Sequence, residues 1–217
     1  MVELERKRVM RWGIAMGTVD TQDNQAGGND QLEDLFHQKH DAHHAEHGAH
    51  HHHHHHERPM TQEEAVRSLL MLGQVALGSQ DYESAVQAYA SVLKLEQNET
   101  ALYNLASLYA RGLAVRQDYA EAARLFRQAQ LMGNERAGKL CGKCMYDYLC
   151  EDIGDKTSAD LYAKMAVFVS RVYPDAEDQK AEVNNGLLAV AATLLDRGER
   201  AEATKVLRAA TDFGNVE

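Results

Sequence analysis

"LGQVALGSQDYESAVQAYASVLKL" (residues 72–95) recurs in altered form as "LASLYARGLAVRQDYAEAARLFRQAQLMG" (residues 105–133). Small Ala or Gly residues at matched places let two helices approach closely, and larger apolar residues three or four positions away fill the groove between them. Each stretch therefore predicts two amphipathic helices joined by a turn. The matched residues are Leu72-Gly73 with Leu105-Ala106, Asp81-Tyr82 with Asp118-Tyr119, Ala85 with Ala122, and Tyr89 with Phe126.

Two further copies follow along the chain. The third copy is blurred, with Cys141-Gly142 in the place of Leu72-Gly73 and a second helix around Ser158 to Val172. The fourth copy, residues 187–210, is clearer, and its matched residues are Ala191, Leu194, Gly198, Ala203, Leu207 and Ala210. One helix pair cannot bury its apolar face alone, so about three or more copies must stack. We therefore predict an all-α fold, an α-solenoid of about four stacked antiparallel helix pairs over residues 60–217.

The second copy carries the most specific pattern. Its residues Ala101, Leu105, Ala106, Tyr109, Gly112, Val115, Asp118, Ala122, Phe126, Ala129, Gly133 and Ala137 resemble the Sel-one-like repeat, a longer relative of the tetratricopeptide (TPR) repeat. The copy departs from that pattern where Ala106 and Ala114 stand for glycine and Leu125 for tryptophan. The resemblance to the TPR superfamily covers about residues 62–215. It implies a scaffold or adaptor that binds a protein or peptide in a concave groove and has no catalytic activity of its own.

The resemblance also implies that the first helix of each pair lines the groove. The candidate groove residues are Arg67, Leu70, Gln74, Tyr103, Asn104, Ser107, Arg111, Arg136, Lys139, Lys143 and Tyr146. The Arg and Lys members would form a basic strip inside an acidic protein. Our hypothesis is that the strip prefers an acidic or carboxylate-bearing peptide, because charge-assisted hydrogen bonds suit such groups. The alternative is that these cations are ordinary surface charges, offset by nearby carboxylates.

The net charge of the chain argues against two classes of binding partner. The chain of 217 residues has a formal net charge of −10, spread along its length, which argues against binding to nucleic acid or to an anionic membrane surface. The apolar stretch from Trp12 to Met16 is too short for a signal-peptide core or a membrane span. We expect a soluble cytoplasmic protein whose partner is another protein or peptide.

We also expect that the chain is not an enzyme, since no nucleophile–base pair, phosphate loop or pair of catalytic carboxylates can be placed in the sequence. The oligomeric state stays open.

The three cysteines lie together in "CGKCMYDYLC", residues 141–150. Cys141 and Cys144 have a spacing that serves zinc binding or disulfide exchange in other settings. However, one such pair provides only half of a tetrahedral site, and the repeat region contains no histidine to complete it. Cys141 also occupies the place of Leu72 and Leu105. A small buried hydrophobic residue is therefore a sufficient interpretation, and metal binding and redox chemistry remain the alternatives.

Residues 1–59 differ from the repeat region in composition. With little apolar periodicity, this segment cannot bury enough surface to offset its ordering entropy, and we predict that it is mostly disordered. One exception is a predicted marginal helix over residues 31–50, since Asp30 and Glu33 have the spacing of a capping box and Leu32, Leu35 and Phe36 follow.

All twelve histidines lie in residues 37–56. Histidines three or four residues apart share one face of a helix and can chelate a divalent ion such as Ni²⁺, Zn²⁺ or Cu²⁺. The candidate ligands are His37, His40, His43, His44, His47, His50 and His51. This pattern supports a second possible function, in which the histidines store or deliver a transition metal while the repeats dock the recipient protein.

The histidine tract has two other interpretations. It could be a purification tag placed ahead of Met60, or a tract that gains positive charge by protonation as the pH falls below neutrality. The adaptor function itself requires no cofactor.

Overall fold

Helices make up the regular structure of residues 58–214. The computed structural model describes residues 58–214, and no strand occurs in that range. The helices are α1 (Gln62–Gly78), α2 (Tyr82–Leu95), α3 (Glu99–Arg111), α4 (Tyr119–Leu131), α5 (Glu135–Cys150), α6 (Ser158–Val172), α7 (Gln179–Asp196) and α8 (Arg200–Gly214), with one 3₁₀-helix (Ile153–Asp155) between α5 and α6. The all-α prediction is thus confirmed for the described part of the chain. The predicted helix at 31–50, the predicted disorder up to residue 57 and the histidine tract lie outside the described residues.

Helix starts follow one chemical rule in this protein. A side-chain oxygen of the residue before each of α1 to α7 accepts a hydrogen bond from the backbone N–H three residues later, which satisfies one of the free donors at the helix start. These capping residues are Thr61, Asp81, Asn98, Asp118, Asn134, Thr157 and Asp178. The matched Asp81 and Asp118 of the first two copies are therefore the caps of α2 and α4. Each cap stabilises its helix by about 1 kcal/mol.

Adjacent helices pack in pairs. Contacts are most extensive between α1 and α2, α3 and α4, α4 and α5, and α7 and α8. The matched alanines Ala85, Ala122 and Ala203 are fully buried, and so are the matched aromatic residues Tyr89 and Phe126. The matched alanines are therefore core positions in the first, second and fourth copies, whereas the matched Leu72 of the first copy is 51% exposed.

The third copy differs from the others in its packing. Helix α5 packs chiefly on α4 and has only a small contact with α6, while α6 lies against α4, α7 and α8. The connection between α5 and α6 is held by lysines: Lys205 Nζ donates to the carbonyl oxygens of Ile153 and Gly154 at 3.0 and 3.1 Å, and Lys164 Nζ lies 2.5 Å from Asp152. The blurred sequence of copy three thus corresponds to a looser pair. A solenoid of four equivalent pairs stays a prediction.

No helix within residues 58–214 combines the length and the apolar composition that a membrane span needs.

The contact between α1 and α2 includes a glycine, Gly73, packed against the Tyr89 ring. A Cβ atom built on Gly73 would lie 2.7 Å from the Cε1 and Cζ atoms of the Tyr89 ring, which is closer than carbon atoms can approach. Because Tyr89 is buried, its ring has little room to move. Glycine at position 73 therefore sets the distance between the two helices.

We predict that Gly73→Ala lowers the free energy of unfolding by about 1–3 kcal/mol, because the added methyl group overpacks the contact with Tyr89. The matched control is Gly78→Ala in the same helix, where an added Cβ meets no atom within 4 Å. That control should leave stability unchanged or raise it by up to about 1 kcal/mol. Urea denaturation of both variants measures the difference, and equal effects would contradict the prediction.

Candidate functional site

The predicted groove residues all lie on the first helices of their pairs. Those helices are α1, α3 and α5. The assignments are Arg67, Leu70 and Gln74 on α1, Tyr103, Asn104, Ser107 and Arg111 on α3, and Arg136, Lys139, Lys143 and Tyr146 on α5. Five members of this set are half-buried, and the remaining members are exposed; the half-buried residues are Leu70, Tyr103, Asn104, Ser107 and Tyr146.

The cations of the predicted basic strip fall into two groups. Arg67 pairs with Glu63 at 2.8 Å and Lys143 with Asp147 at 2.5 Å, each four residues away on the same helix. In both cases a carboxylate of the same helix offsets the positive charge. Within residues 58–214, no ion pair is formed by the remaining members of the strip, Arg111, Arg136 and Lys139, and all three are exposed. We refer to these three residues as the unpaired cations.

Two polar members of the predicted groove, Asn104 and Ser107, donate hydrogen bonds within their own helix. Asn104 Nδ2 donates to the Thr100 carbonyl oxygen at 3.0 Å, and Ser107 Oγ donates to the Tyr103 carbonyl oxygen at 2.9 Å, both within α3. Asn104 Nδ2 and Ser107 Oγ thus each donate one hydrogen bond inside α3, and the oxygen atoms of both side chains can still accept hydrogen bonds.

The two tyrosines of the predicted groove make packing contacts. The Tyr103 ring meets Phe126 of α4 edge-on, with ring centres 5.6 Å apart. The Tyr146 ring carries the guanidinium group of Arg197 above its face at 5.3 Å, and burial raises the pKa of Tyr146 to about 12. Both tyrosines therefore help to join neighbouring helices in addition to any role at a surface.

A surface cavity of about 530 Å³ was not foreseen from the sequence. It lies where α3 ends, between the α3–α4 connection and the last turns of α5 and α6. The lining residues are Tyr109, Val115, Arg116, Gln117, Asp118, Tyr119, Tyr148, Glu151 and Arg171. Two of the lining residues form an ion pair, in which Arg171 Nη1 and Nη2 donate to the two carboxylate oxygens of Asp118 at 3.0 and 2.7 Å. The repeat pattern singled out Asp118, but no sequence signal connects it with Arg171, which lies 53 residues later.

The backbone of the α3–α4 connection is left-handed at two residues. Gly112 has φ 64° and Ala114 has φ 57°. Glycine adopts this conformation without strain, whereas alanine does so at a cost. Ala114 is one of the two places where alanine replaces the glycine of the Sel-one-like pattern. Gln117 holds the connection by donating from Nε2 to the Ala110 carbonyl oxygen at 2.8 Å and to Tyr119 Oη at 3.1 Å.

The cysteines lie inside the helical core. Cys141 and Cys144 are buried, and Cys150 is half-buried. Burial raises the pKa of Cys141 to about 11 and that of Cys150 to about 12, and it raises the pKa of Cys144 still further. Because the thiolate is the form that attacks disulfides and binds metals, these thiols are poorly suited to either role near neutral pH. The burial of Cys141 and Cys144 supports the interpretation of these two residues as small hydrophobic core residues.

In residues 58–214 no group of three or more His, Cys, Asp or Glu side chains has an arrangement that could hold a metal ion. The predicted ligands His37, His40, His43, His44, His47, His50 and His51 lie outside this range.

Comparison of the chain with protein-family models, with curated proteins and with solved structures found no match. The resemblance to the TPR superfamily therefore rests on the repeated residues themselves. It remains a prediction.

The Asp118–Arg171 pair gives a pH-dependent prediction. Burial acts to raise the pKa of Asp118, but hydrogen bonds from Arg171 and from the backbone N–H groups of Glu121 and Ala120 outweigh it and lower the pKa. A carboxylate with a lowered folded-state pKa stabilises the fold above its unfolded pKa, and the stabilisation is lost as the pH falls through the folded value. We expect Arg171→Gln to destabilise the protein at neutral pH by up to about 1 kcal/mol, since both side chains are partly exposed.

Urea denaturation from neutral pH down to about pH 2 measures this effect, and the difference between wild type and Arg171→Gln should shrink below about pH 4. Arg208→Gln is the control, because Arg208 is exposed and forms no ion pair within residues 58–214. A loss of stability in Arg171→Gln that is the same at every pH would show that the ion pair is not its cause.

Proposed function

We propose that this chain is a non-catalytic protein–protein interaction adaptor, which binds a protein or peptide in the concave groove of a TPR-like solenoid. The repeated helix pairs, with their matched buried alanines and aromatic residues, support the architecture. The observation that carries the function is the set of unpaired cations on α3 and α5. Arg111, Arg136 and Lys139 are exposed and form no ion pair within residues 58–214, so each of them can bind an external anion.

The chemistry of the unpaired cations favours a carboxylate-bearing peptide. Arginine presents a planar fork of donors that matches a carboxylate, and lysine adds a compact positive charge. Arg136 and Lys139 are three residues apart on α5, so they lie on neighbouring places of one helix surface. Asn104 and Ser107 on α3 keep free acceptors for peptide N–H groups. A peptide with acidic side chains would thus find both kinds of partner.

We predict that Arg136→Gln/Lys139→Gln weakens binding of an acidic peptide by at least about tenfold, because a hydrogen bond to a charged group contributes about 1.5–3 kcal/mol. The charge-matched control is Lys94→Gln/Arg200→Gln, which removes two exposed cations from the second helices α2 and α8. Fluorescence anisotropy with labelled acidic and neutral peptides, at low and high salt, measures the affinities. Equal and negligible binding of both peptides to the wild type would refute the proposal, and so would equal losses in the two double variants.

A second candidate function is favoured by the histidine distribution. All twelve histidines lie in residues 37–56 and none in residues 57–217, so the tract is a separate chemical feature from the helix pairs. Neutral imidazoles four residues apart suit Ni²⁺, Zn²⁺ and Cu²⁺. On this proposal the tract stores or delivers a transition metal, and the helix pairs dock the recipient.

We predict that deletion of residues 37–56 abolishes the binding of Ni²⁺ and Zn²⁺ and leaves peptide affinity unchanged. Native mass spectrometry with each metal measures the first effect and the anisotropy assay measures the second. Acidification to about pH 5 should release the metal from the full chain, because protonated imidazole cannot bind it. If the metal content is identical with and without the tract, the histidines are not the ligands.

A further inference from the structure

The surface cavity at the end of α3 has the size of a small-molecule site. Its volume of about 530 Å³ falls within the range of roughly 300–1,000 Å³ that is usual for ligand pockets. Four half-buried residues contribute apolar or aromatic surface to its lining, and they are Tyr109, Val115, Tyr119 and Tyr148. A lining of this kind favours a ligand with an apolar or aromatic body.

The walls of the cavity are tied together by hydrogen bonds. The Asp118 backbone N–H donates to the Tyr109 carbonyl oxygen at 3.1 Å, which fixes the α3–α4 connection to the end of α3. Gln117 Nε2 reinforces this attachment by donating to the Ala110 carbonyl oxygen at 2.8 Å. The Asp118–Arg171 pair joins the same connection to α6. These contacts pre-organise the cavity, and pre-organisation lowers the entropic cost of binding a ligand.

Two charged groups of opposite sign line the cavity without an ion-pair partner among residues 58–214. They are Arg116 and Glu151, both exposed, and they do not pair with each other. The other two charged residues of the lining, Asp118 and Arg171, offset each other through two hydrogen bonds. The cavity therefore offers one cation and one anion to a ligand.

The two charges lie on different elements of the cavity wall. Glu151 directly follows α5, close to two of the rings: burial raises the pKa of Tyr119 and of Tyr148, and the negative charge of Glu151 contributes to the rise in each. A ligand ammonium group at this place would be attracted by the carboxylate and by the faces of aromatic rings. Arg116 lies on the α3–α4 connection, and its planar fork of donors suits a ligand carboxylate.

We propose that this cavity is a binding site for a small zwitterion, namely a free amino acid with an apolar or aromatic side chain. The carboxylate of the amino acid binds Arg116, its ammonium group binds Glu151, and its side chain packs against the tyrosines. This inference is independent of the adaptor and metal proposals, because the cavity lining contains neither an unpaired cation of α3 and α5 nor a histidine.

L-Phenylalanine is the probe for this site, and two analogues each remove one of its charges. Phenethylamine lacks the carboxylate, and 3-phenylpropionate lacks the ammonium group. Isothermal titration calorimetry with the full chain measures the three affinities. We expect L-phenylalanine to bind at least about tenfold more tightly than either analogue, because each analogue has lost a hydrogen bond between charged groups.

Two variants connect the ligand charges with their residues. Arg116→Gln should weaken the binding of L-phenylalanine by at least about tenfold and leave phenethylamine unchanged, since phenethylamine has no carboxylate. Glu151→Gln should weaken L-phenylalanine to a similar extent and leave 3-phenylpropionate unchanged. The matched controls are Arg208→Gln and Glu177→Gln, which remove exposed charges outside the cavity and should leave all three affinities unchanged.

Circular dichroism of the four variants verifies that the helices remain folded, since every substituted side chain is exposed. The proposal is overturned if the wild-type chain does not bind L-phenylalanine, or if it binds one of the analogues as tightly. It is overturned equally if the two cavity variants and the two control variants bind L-phenylalanine alike.

Discussion

Close approach of helices at small residues is the constraint on which the rest of this structure depends. Gly73 lies against the Tyr89 ring, Gly138 against the Gln130 side chain, and Gly186 against the sulfur atoms of Met165 and Met145. At each place a Cβ atom would come within 3 Å of a neighbouring helix. Because the Tyr89 ring is buried, Gly73 limits how closely α1 and α2 approach, and the side chains around these contacts fill the remaining space at the density of a protein core.

This packing also determines which polar groups stay at the surface. No polar or charged residue is buried among residues 58–214, so the charges of this part of the chain meet solvent at least in part. Some of them are used to join helices, as Arg171 joins α6 to the cap of α4 through Asp118. Others, such as Arg136 and Lys139, make no such contact in the described range. The proposed adaptor function depends on this division between cations with a structural partner and cations without one.

A helix pair in an array has a contact surface on each side, and each surface is covered only when a neighbour is present. Leu72 of α1 is 51% exposed, whereas Leu105 and Cys141, the residues matched to it, are buried. Within residues 58–214 no helix precedes α1. The position of a residue in the repeat therefore does not by itself decide whether the residue is covered.

The sequence by itself determined the helical class, most of the helix pairs and much of the core. Those properties are local: the 3.6-residue period, the capping residues such as Asp81 and Asp118, and the small residues at crossing points act within one helix or one turn. Tertiary structure alone decided the Asp118–Arg171 pair, the cavity around it, the looser contact between α5 and α6, and the exposure of Leu72. Each of these depends on which distant segments come to lie side by side, and a repeat pattern assigns equivalent positions without stating which neighbour, if any, covers them.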